Sequence, residues 1–208
     1  MEKIVVLGKG GHAKSVVDVL ERQGIYKIAG YVVNECNTYG ENDYPIIGKD
    51  KDLRDIYQEG IKYAAMGIGF LGKSSLRNKL YENLKEIGFF LPVICDPSAI
   101  VSNKTIIGEG TFIGKGAIVS VDAEIAKMCI INTGAIIEHD CKVGAFSHIS
   151  VGSIICGNVG IGANVLVGAN STVIQGRSVG NDCIIGAGEV LKRDLGNNRI
   201  YTNNEEAI

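Results

Sequence analysis

From Val101 to Leu191 an aliphatic side chain falls on every sixth position: Val101, Ile107, Ile113, Val119, Ile125, Ile131, Ile137, Val143, Ile149, Ile155, Ile161, Val167, Val173, Val179, Ile185 and Leu191. Four places after most of these sits a small residue, such as Thr111, Ala117, Cys129, Ser147 or Ser171. A period of six matches neither a helix at 3.6 nor a strand at 2, so it describes short strands joined by corners. The strands of such a parallel β-solenoid bury one face against the coils above and below. Grouped by hexads, the segment predicts fifteen units from Val101 to Val190, or five coils of three strands. At ~4.8 Å between neighbouring strands the stack would be about 24 Å tall.

The rest of the composition mainly excludes. A formal net charge of -2 and the lack of any Lys/Arg run give no footprint for nucleic acid. The start, MEKIVVLGKGG, carries too short an apolar run for a signal peptide, and no stretch approaches a membrane span. The expectation is a soluble, cytoplasmic protein. Of the six cysteines, Cys129, Cys141 and Cys183 fall on the small inward position and no C-x-x-C occurs, so they read as reduced apolar fillers.

Before residue 95 the texture changes. Strands are expected at Lys3–Leu7, Ile28–Val33, Lys62–Met66 and Phe89–Ile94, with helices at Ala13–Arg22, Asp50–Gln58 and Lys73–Ile87. This alternation predicts a small Rossmann-like parallel α/β domain over 1–95, followed by the solenoid over 96–208, with Asp96-Pro97 at the join. Residues 34–44, polar and aperiodic, read as a mobile loop. Gly8-Lys9-Gly10-Gly11-His12-Ala13 satisfies G-x-G-x-x-A between a strand and a helix, where bare backbone can meet a phosphate. The alternative is a tight turn and nothing more. A dinucleotide site also wants an acid after the second strand, and that place holds Val33-Asn34. A phosphate-bearing small ligand therefore fits better, with His12 as a contact.

One hexad breaks the small-residue rule: Ile137-Glu138-His139-Asp140-Cys141-Lys142. His139 and Asp140 lie off the inward register and should project at a corner. A histidine suits proton abstraction near neutrality, and an adjacent carboxylate can orient it; a solvated corner is the plain alternative. Steps of eighteen residues from His139 reach Gly157, Gln175 and Arg193, which should stack along one edge. Gly157 would offer a bare N–H to an oxyanion, and Lys192 with Arg193 a cationic anchor. His148, half a coil away, reads as either functional or a structural hydrogen-bonding residue.

With those residues in view, hexads such as Ile161-Gly162-Ala163-Asn164-Val165 and Ile185-Gly186-Ala187-Gly188 resemble the hexapeptide-repeat acyltransferases, whose fold is a left-handed parallel β-helix. Together with the N-terminal G-x-G-G-H loop, the chain is similar to the bacterial nucleotide-amino-sugar N-acetyltransferases and the related sialic acid O-acetyltransferases. That resemblance, strongest over EHDCKVGAFSHISVGSIICGNVGIG, implies His139 as base, Asp140 as its support, His148 as a second active-site histidine and Gly157 as the amide facing the thioester. It implies substrate contacts at Gly8, Gly10, Gly11, His12, Asn34, Gly67 and His148. Acetyl-CoA would meet His148, Gly157, Gln175, Ala187, Lys192 and Arg193. It further implies a homotrimer with active sites between subunits, and no metal. Two departures stand out: Val33-Asn34 where uridine-binding members often carry acids, and Tyr201–Glu206 where many close on G-x-P-A-K.

The implied reaction is direct acetyl transfer from acetyl-CoA to the 4-amino group of a nucleotide-linked amino-deoxy sugar. O-acetylation of a sialic acid or related sugar is the alternative. A metal-dependent hydratase would need three histidines where the solenoid has His139 and His148. A non-catalytic solenoid would leave Glu138-His139-Asp140 without a role.

Overall fold

The structure is a computed structural model, and it describes residues 1–34, 44–72 and 75–202. These residues form two compact units: one spans Met1–Gly69 and Ser75–Pro97, and the other holds 70–72 and 98–202.

The first unit is a parallel sheet with helices. Strands β1 (Glu2–Leu7), β2 (Tyr26–Val32), β3 (Ile46–Gly48) and β4 (Tyr63–Met66) lie in the order β3-β2-β1-β4. The central strand β1 buries Ile4, Val5, Val6 and Leu7 completely, as a strand covered on both faces must. Helix α1 (Gly11–Gln23) buries Ala13, Val16, Val17, Val19 and Leu20, and ends at Gly24 in the left-handed conformation. Helices α2 (Leu53–Gln58) and α3 (Leu76–Ile87) follow, and strand β5 (Ile94–Cys95) closes the unit. Arg22 in the last turn of α1 pairs with the buried Asp96 at 3.2 Å.

Two expectations change here. Strand β3 was not anticipated; it is three residues long, too short to carry a period. The expected strand Phe89–Ile94 reduces to a single bridge from Phe90 to Tyr63 and the two-residue β5. Pro92, lacking an N–H, cannot extend the ladder between them. The expected loop 34–44 lies outside the described residues except at its ends.

The second unit is a prism of two-residue strands in three parallel stacks. The first stack contains Ile100–Val101, Ile118–Val119, Ile136–Ile137, Ile154–Ile155, Thr172–Val173 and Val190–Leu191. The second holds Ile106–Ile107 and the third Phe112–Ile113, each repeating at eighteen residues through pairings such as Lys142↔Gly160 and His148↔Leu166, with a last step of sixteen from Ile184 to Ile200. The hexad aliphatics point inward: from Ile113 to Leu191 all are at most 4% exposed. The small inward residues do more than fill space. Thr111, Ser147, Ser153 and Ser171 each donate a hydroxyl hydrogen bond to the carbonyl fifteen residues on, at 2.5–2.9 Å, satisfying turn oxygens that face a dry core. Cys129 and Cys141 do the same more weakly through their thiols.

From Gly110 to Gly188 the corners turn through one residue at positive φ, three places after the inward aliphatic: Gly110, Gly116, Asp122, Met128, Gly134, Asp140 and so on upward. Above Gly176 the last coil contracts, since Val179 bridges Leu195, sixteen residues ahead. Asp194 accepts from the Ser178 N–H at 2.9 Å in place of a backbone carbonyl.

Close stacking leaves no room at some glycines. A Cβ on Gly168 would stand 2.5 Å from Ala187 N and 2.6 Å from Gly186 C, both backbone atoms of the next coil. Gly168→Ala is expected to destabilise the unit by about 1–3 kcal/mol, read as a lowered urea midpoint; an unchanged midpoint would contradict this packing.

Candidate active site

The corner between the first and second stacks carries His139 and Asp140. Asp140 occupies the turn's left-handed position, with φ 61°. An aspartate tolerates that conformation better than most non-glycine residues. There its Oδ2 accepts a 2.7 Å hydrogen bond from His139 Nδ1. A carboxylate only accepts, so the hydrogen resides on Nδ1 and the neutral ring presents Nε2 as a lone pair. Both side chains are about half exposed, at 49% and 58%. The hydrogen bond to Asp140 raises the imidazole above its ordinary 6.5; desolvation opposes this, and the charges of Asp140 and Glu138 add to the rise.

One coil up, Gly157 lies directly over the ring. A Cβ there would be 2.6 Å from Nε2 and 2.7 Å from Cε1 of His139. Glycine at 157 therefore makes the slot in which the imidazole sits, a steric requirement that periodicity alone did not reveal. Its neighbours donate into the ladder, Cys156 to the Val173 carbonyl and Asn158 to the His139 carbonyl. Gly157 is buried beneath the ring, and among the described residues no hydrogen bond takes up its N–H. Gln175 lies one coil further along, exposed, its neighbour Gly176 donating to the Gly157 carbonyl at 3.0 Å. Lys192 and Arg193, also exposed, continue the column; the Arg193 guanidinium carbon is 5.9 Å from the Tyr201 ring centre.

Other expected residues lie elsewhere. Ala187 follows a strand of the third stack, so it sits at a different corner from Gln175. His148 is on the outward face of the third stack and only 8% exposed. Its Nδ1 donates to the Phe70 carbonyl at 2.8 Å, which leaves Nε2 to accept from Asn132 Nδ2 at 3.0 Å. Asn132 is fixed in turn, because its Oδ1 takes the Thr133 N–H at 2.8 Å. Within one chain His148 is thus a neutral tie that holds residues 70–72 to the prism, and it does not meet His139. Sequence patterning had no means of finding Phe70 or Asn132 as its partners, since they are far apart in the chain.

In the α/β unit the glycine loop divides into two roles. Gly8, at φ 88°, and Gly67 are close-packed: a Cβ on Gly8 would reach Ile68 Cγ1 at 2.7 Å, and one on Gly67 would reach Leu7 O at 2.7 Å. Gly10 and Gly11 have nothing within 4 Å of a notional Cβ, so the start of α1 is bare backbone. Gly10 is its N-cap and supplies no side chain, leaving first-turn N–H groups for an anion. His12 is half-buried in that first turn, beside Gly69. Asn34 is bound to Asp50: its Oδ1 accepts the Asp50 N–H at 3.0 Å and its Nδ2 donates to Asp50 Oδ2.

Among the described residues no group of three or more His, Cys, Asp or Glu side chains is placed to hold a metal ion, and no helix is long and apolar enough to cross a membrane. If Asp140 is what lifts the His139 imidazole, Asp140→Asn should move its titration midpoint, followed by the ring-proton NMR shift, to lower pH. An unmoved midpoint would overturn that assignment.

Comparison with known proteins now bears on this geometry. Residues 3–84 match the family described as the PglD N-terminal domain, and residues 158–193 the hexapeptide repeat of succinyl-transferase. The chain is similar to PerB from Caulobacter crescentus, solved in complex with CoA and GDP-perosamine: 34% identity, TM-score 0.87, with 95% of this chain and 92% of that one covered. It is similar to the acetyltransferase domain of PglB from Neisseria gonorrhoeae in complex with acetyl coenzyme A, at 32% identity and TM-score 0.86 over 96% and 95% of the two chains. A UDP-N-acetylbacillosamine N-acetyltransferase of Bacillus subtilis is 31% identical over 116 residues, which is 54% of this chain and about half, 51%, of that protein's length. An α/β sheet unit joined to a left-handed hexapeptide β-helix, matched end to end at this identity, places the chain in the hexapeptide-repeat acetyltransferases of the nucleotide-amino-sugar N-acetyltransferase group.

Proposed function

We propose that the protein transfers the acetyl group of acetyl-CoA directly to the 4-amino group of a nucleotide-linked amino-deoxy sugar. The observation that carries this reading is the His139–Asp140 pair facing the Gly157 slot. The amine nitrogen attacks the thioester carbonyl carbon while His139 Nε2 takes its proton. Asp140 holds the ring by Nδ1 and stabilises the imidazolium that forms. The Gly157 N–H faces the carbonyl oxygen as it gains negative charge. Collapse of the tetrahedral intermediate breaks the C–S bond, and the imidazolium returns the proton to the CoA sulfur. Gln175, Lys192 and Arg193, rising from Gly157 along the same corner, form a track for the extended thioester and an anchor for its phosphates. The bare first turn of α1 at Gly10 and Gly11 suits the sugar-linked diphosphate.

A homotrimer is part of the proposal. The outward side of the first stack presents Ile100, Ile118, Ile136, Ile154 and, beyond Thr172, Val190 in one column that runs beside the His139 corner, with Ile100 67% exposed. An apolar strip of this kind is suited to burial between copies of the chain. Partner groups would then complete the site at His139. We place the reaction in the cytoplasm, where acetyl-CoA and nucleotide sugars are made.

The test is CoA thiol release from acetyl-CoA with a panel of nucleotide-linked 4-amino-6-deoxy sugars and free sialic acids. Turnover with an amino sugar, reduced about 10²–10⁴-fold in His139→Ala, is expected. Turnover with a sialic acid alone would move the reading to O-acetyl transfer, and failure to bind acetyl-CoA would end it. Because only the neutral imidazole can accept the proton and Asp140 raises its pKa, kcat/KM should climb with pH through a limb above 6.5. That limb should fall to lower pH in Asp140→Asn. Ile154→Glu should lower the sedimentation mass to that of a smaller species and activity with it; a persisting trimer would contradict the interface.

A further inference from the structure

The polar pair at the end of β2 bears on which nucleotide carries the sugar. The turn Asp50–Asp52 already has its cap, because Asp52 Oδ2 accepts the Lys49 N–H at 2.9 Å. Asp50 is used differently. Its N–H goes to Asn34 Oδ1 at 3.0 Å and its Oδ2 takes the Asn34 amide hydrogen, so Asn34 fixes the direction of the carboxylate. Among the described residues Asp50 Oδ1 has no hydrogen-bond partner, and Asp50 is only half-buried.

The position matters as much as the group. Val33 N–H donates to the Gly48 carbonyl, which brings the β3 turn beside the end of β2. Gly8 N–H donates to the Val32 carbonyl at 2.9 Å, so the glycine loop begins on the neighbouring strand of the same sheet edge. A carboxylate held by Asn34 against the end of β2, the strand beside the glycine loop at the C-terminal edge of a parallel sheet, stands where such folds hold the hydroxyls of a ribose. The chain lacks an acid directly after β2, at Val33-Asn34; Asp50 delivers one to that place from sixteen residues further on.

We propose that Asp50, aimed by Asn34, accepts hydrogen bonds from the 2′- and 3′-hydroxyls of the nucleotide ribose. The substrate is then a ribonucleotide-linked sugar and not one carried on deoxythymidine diphosphate. This rests on the reading of the α/β unit as the nucleotide-sugar site. Asp50 reads the nucleotide and takes no part in the acetyl transfer at His139.

Calorimetric titration of the full-length protein with UDP, GDP and their 2′-deoxy counterparts tests it. The expected result is a ribonucleotide bound about tenfold or more tightly than its deoxy analogue, as for hydrogen bonds to a charged acceptor. Asp50→Asn should bring that ratio towards one, weakening the deoxy analogue less because only its 3′-hydroxyl loses the charged acceptor, and Asp52→Asn should preserve the ratio. Asn34→Ala keeps the carboxylate but removes its aim, and should lower the ratio even if Asp50→Asn does not fold. A ratio near one in the unaltered protein, or one retained in Asp50→Asn, would overturn the proposal and leave the acetyltransferase reading standing. Failure of every nucleoside diphosphate to bind would overturn the nucleotide-sugar site itself.

Discussion

Everything in the second unit depends on each coil lying on the one beneath at an offset of eighteen residues. Parallel ladders of backbone hydrogen bonds impose it, Glu124 to Lys142 to Gly160 on one stack and Ile130 to His148 to Leu166 on another. Strands of two residues have almost no stability alone, so the register is a collective property of neighbouring coils. It converts distance in sequence into height along an edge. His139, Gly157, Gln175 and Arg193 form a column for that reason and no other. The contraction to sixteen residues at Leu195 marks where the column stops.

The site itself is made by departures from the repeat that the repeat can tolerate. From Gly110 to Gly188 the corners take a residue at positive φ, and most fill it with glycine, asparagine or aspartate. At one corner the aspartate doubles as the partner of the preceding histidine, so turn chemistry and base orientation are satisfied by a single carboxylate. The glycine above removes the one Cβ that would displace the ring. Preorganisation here costs no added loop: the imidazole is held from below by its own turn and bounded from above by the next.

How much of this could be read from the chain follows from range. The inward aliphatics, the stacked column and the thiol fillers are set by a repeat of constant length, so counting residues locates them. Residues whose partners depend on the α/β unit's short strands were out of reach. Asn34 is expected as a substrate contact from the resemblance alone; its side chain holds Asp50 beside the strand Ile46–Gly48, a partner that no local pattern announces. Gly67, an expected substrate contact, packs so closely that a Cβ would meet Leu7 and Ala13, which spacing alone does not show. His148 carried the same residue type as His139, but its strand position buries it and gives both nitrogens to Asn132 and Phe70. Residue type indicates capability; register and burial determine what each side chain touches within one chain.

Residues 70–72 belong to the prism although the chain on either side of them belongs to the α/β unit. Phe70 is tied to His148, and Gly72, at φ 108°, lies against Ile184 and Leu166. During synthesis those partners leave the ribosome roughly eighty to a hundred residues after the segment they hold, several seconds later at ordinary elongation rates. The sheet can therefore form early, but this short stretch must wait for the third, fourth and fifth coils. The chain is stitched to itself in an order that runs from its end back to its middle.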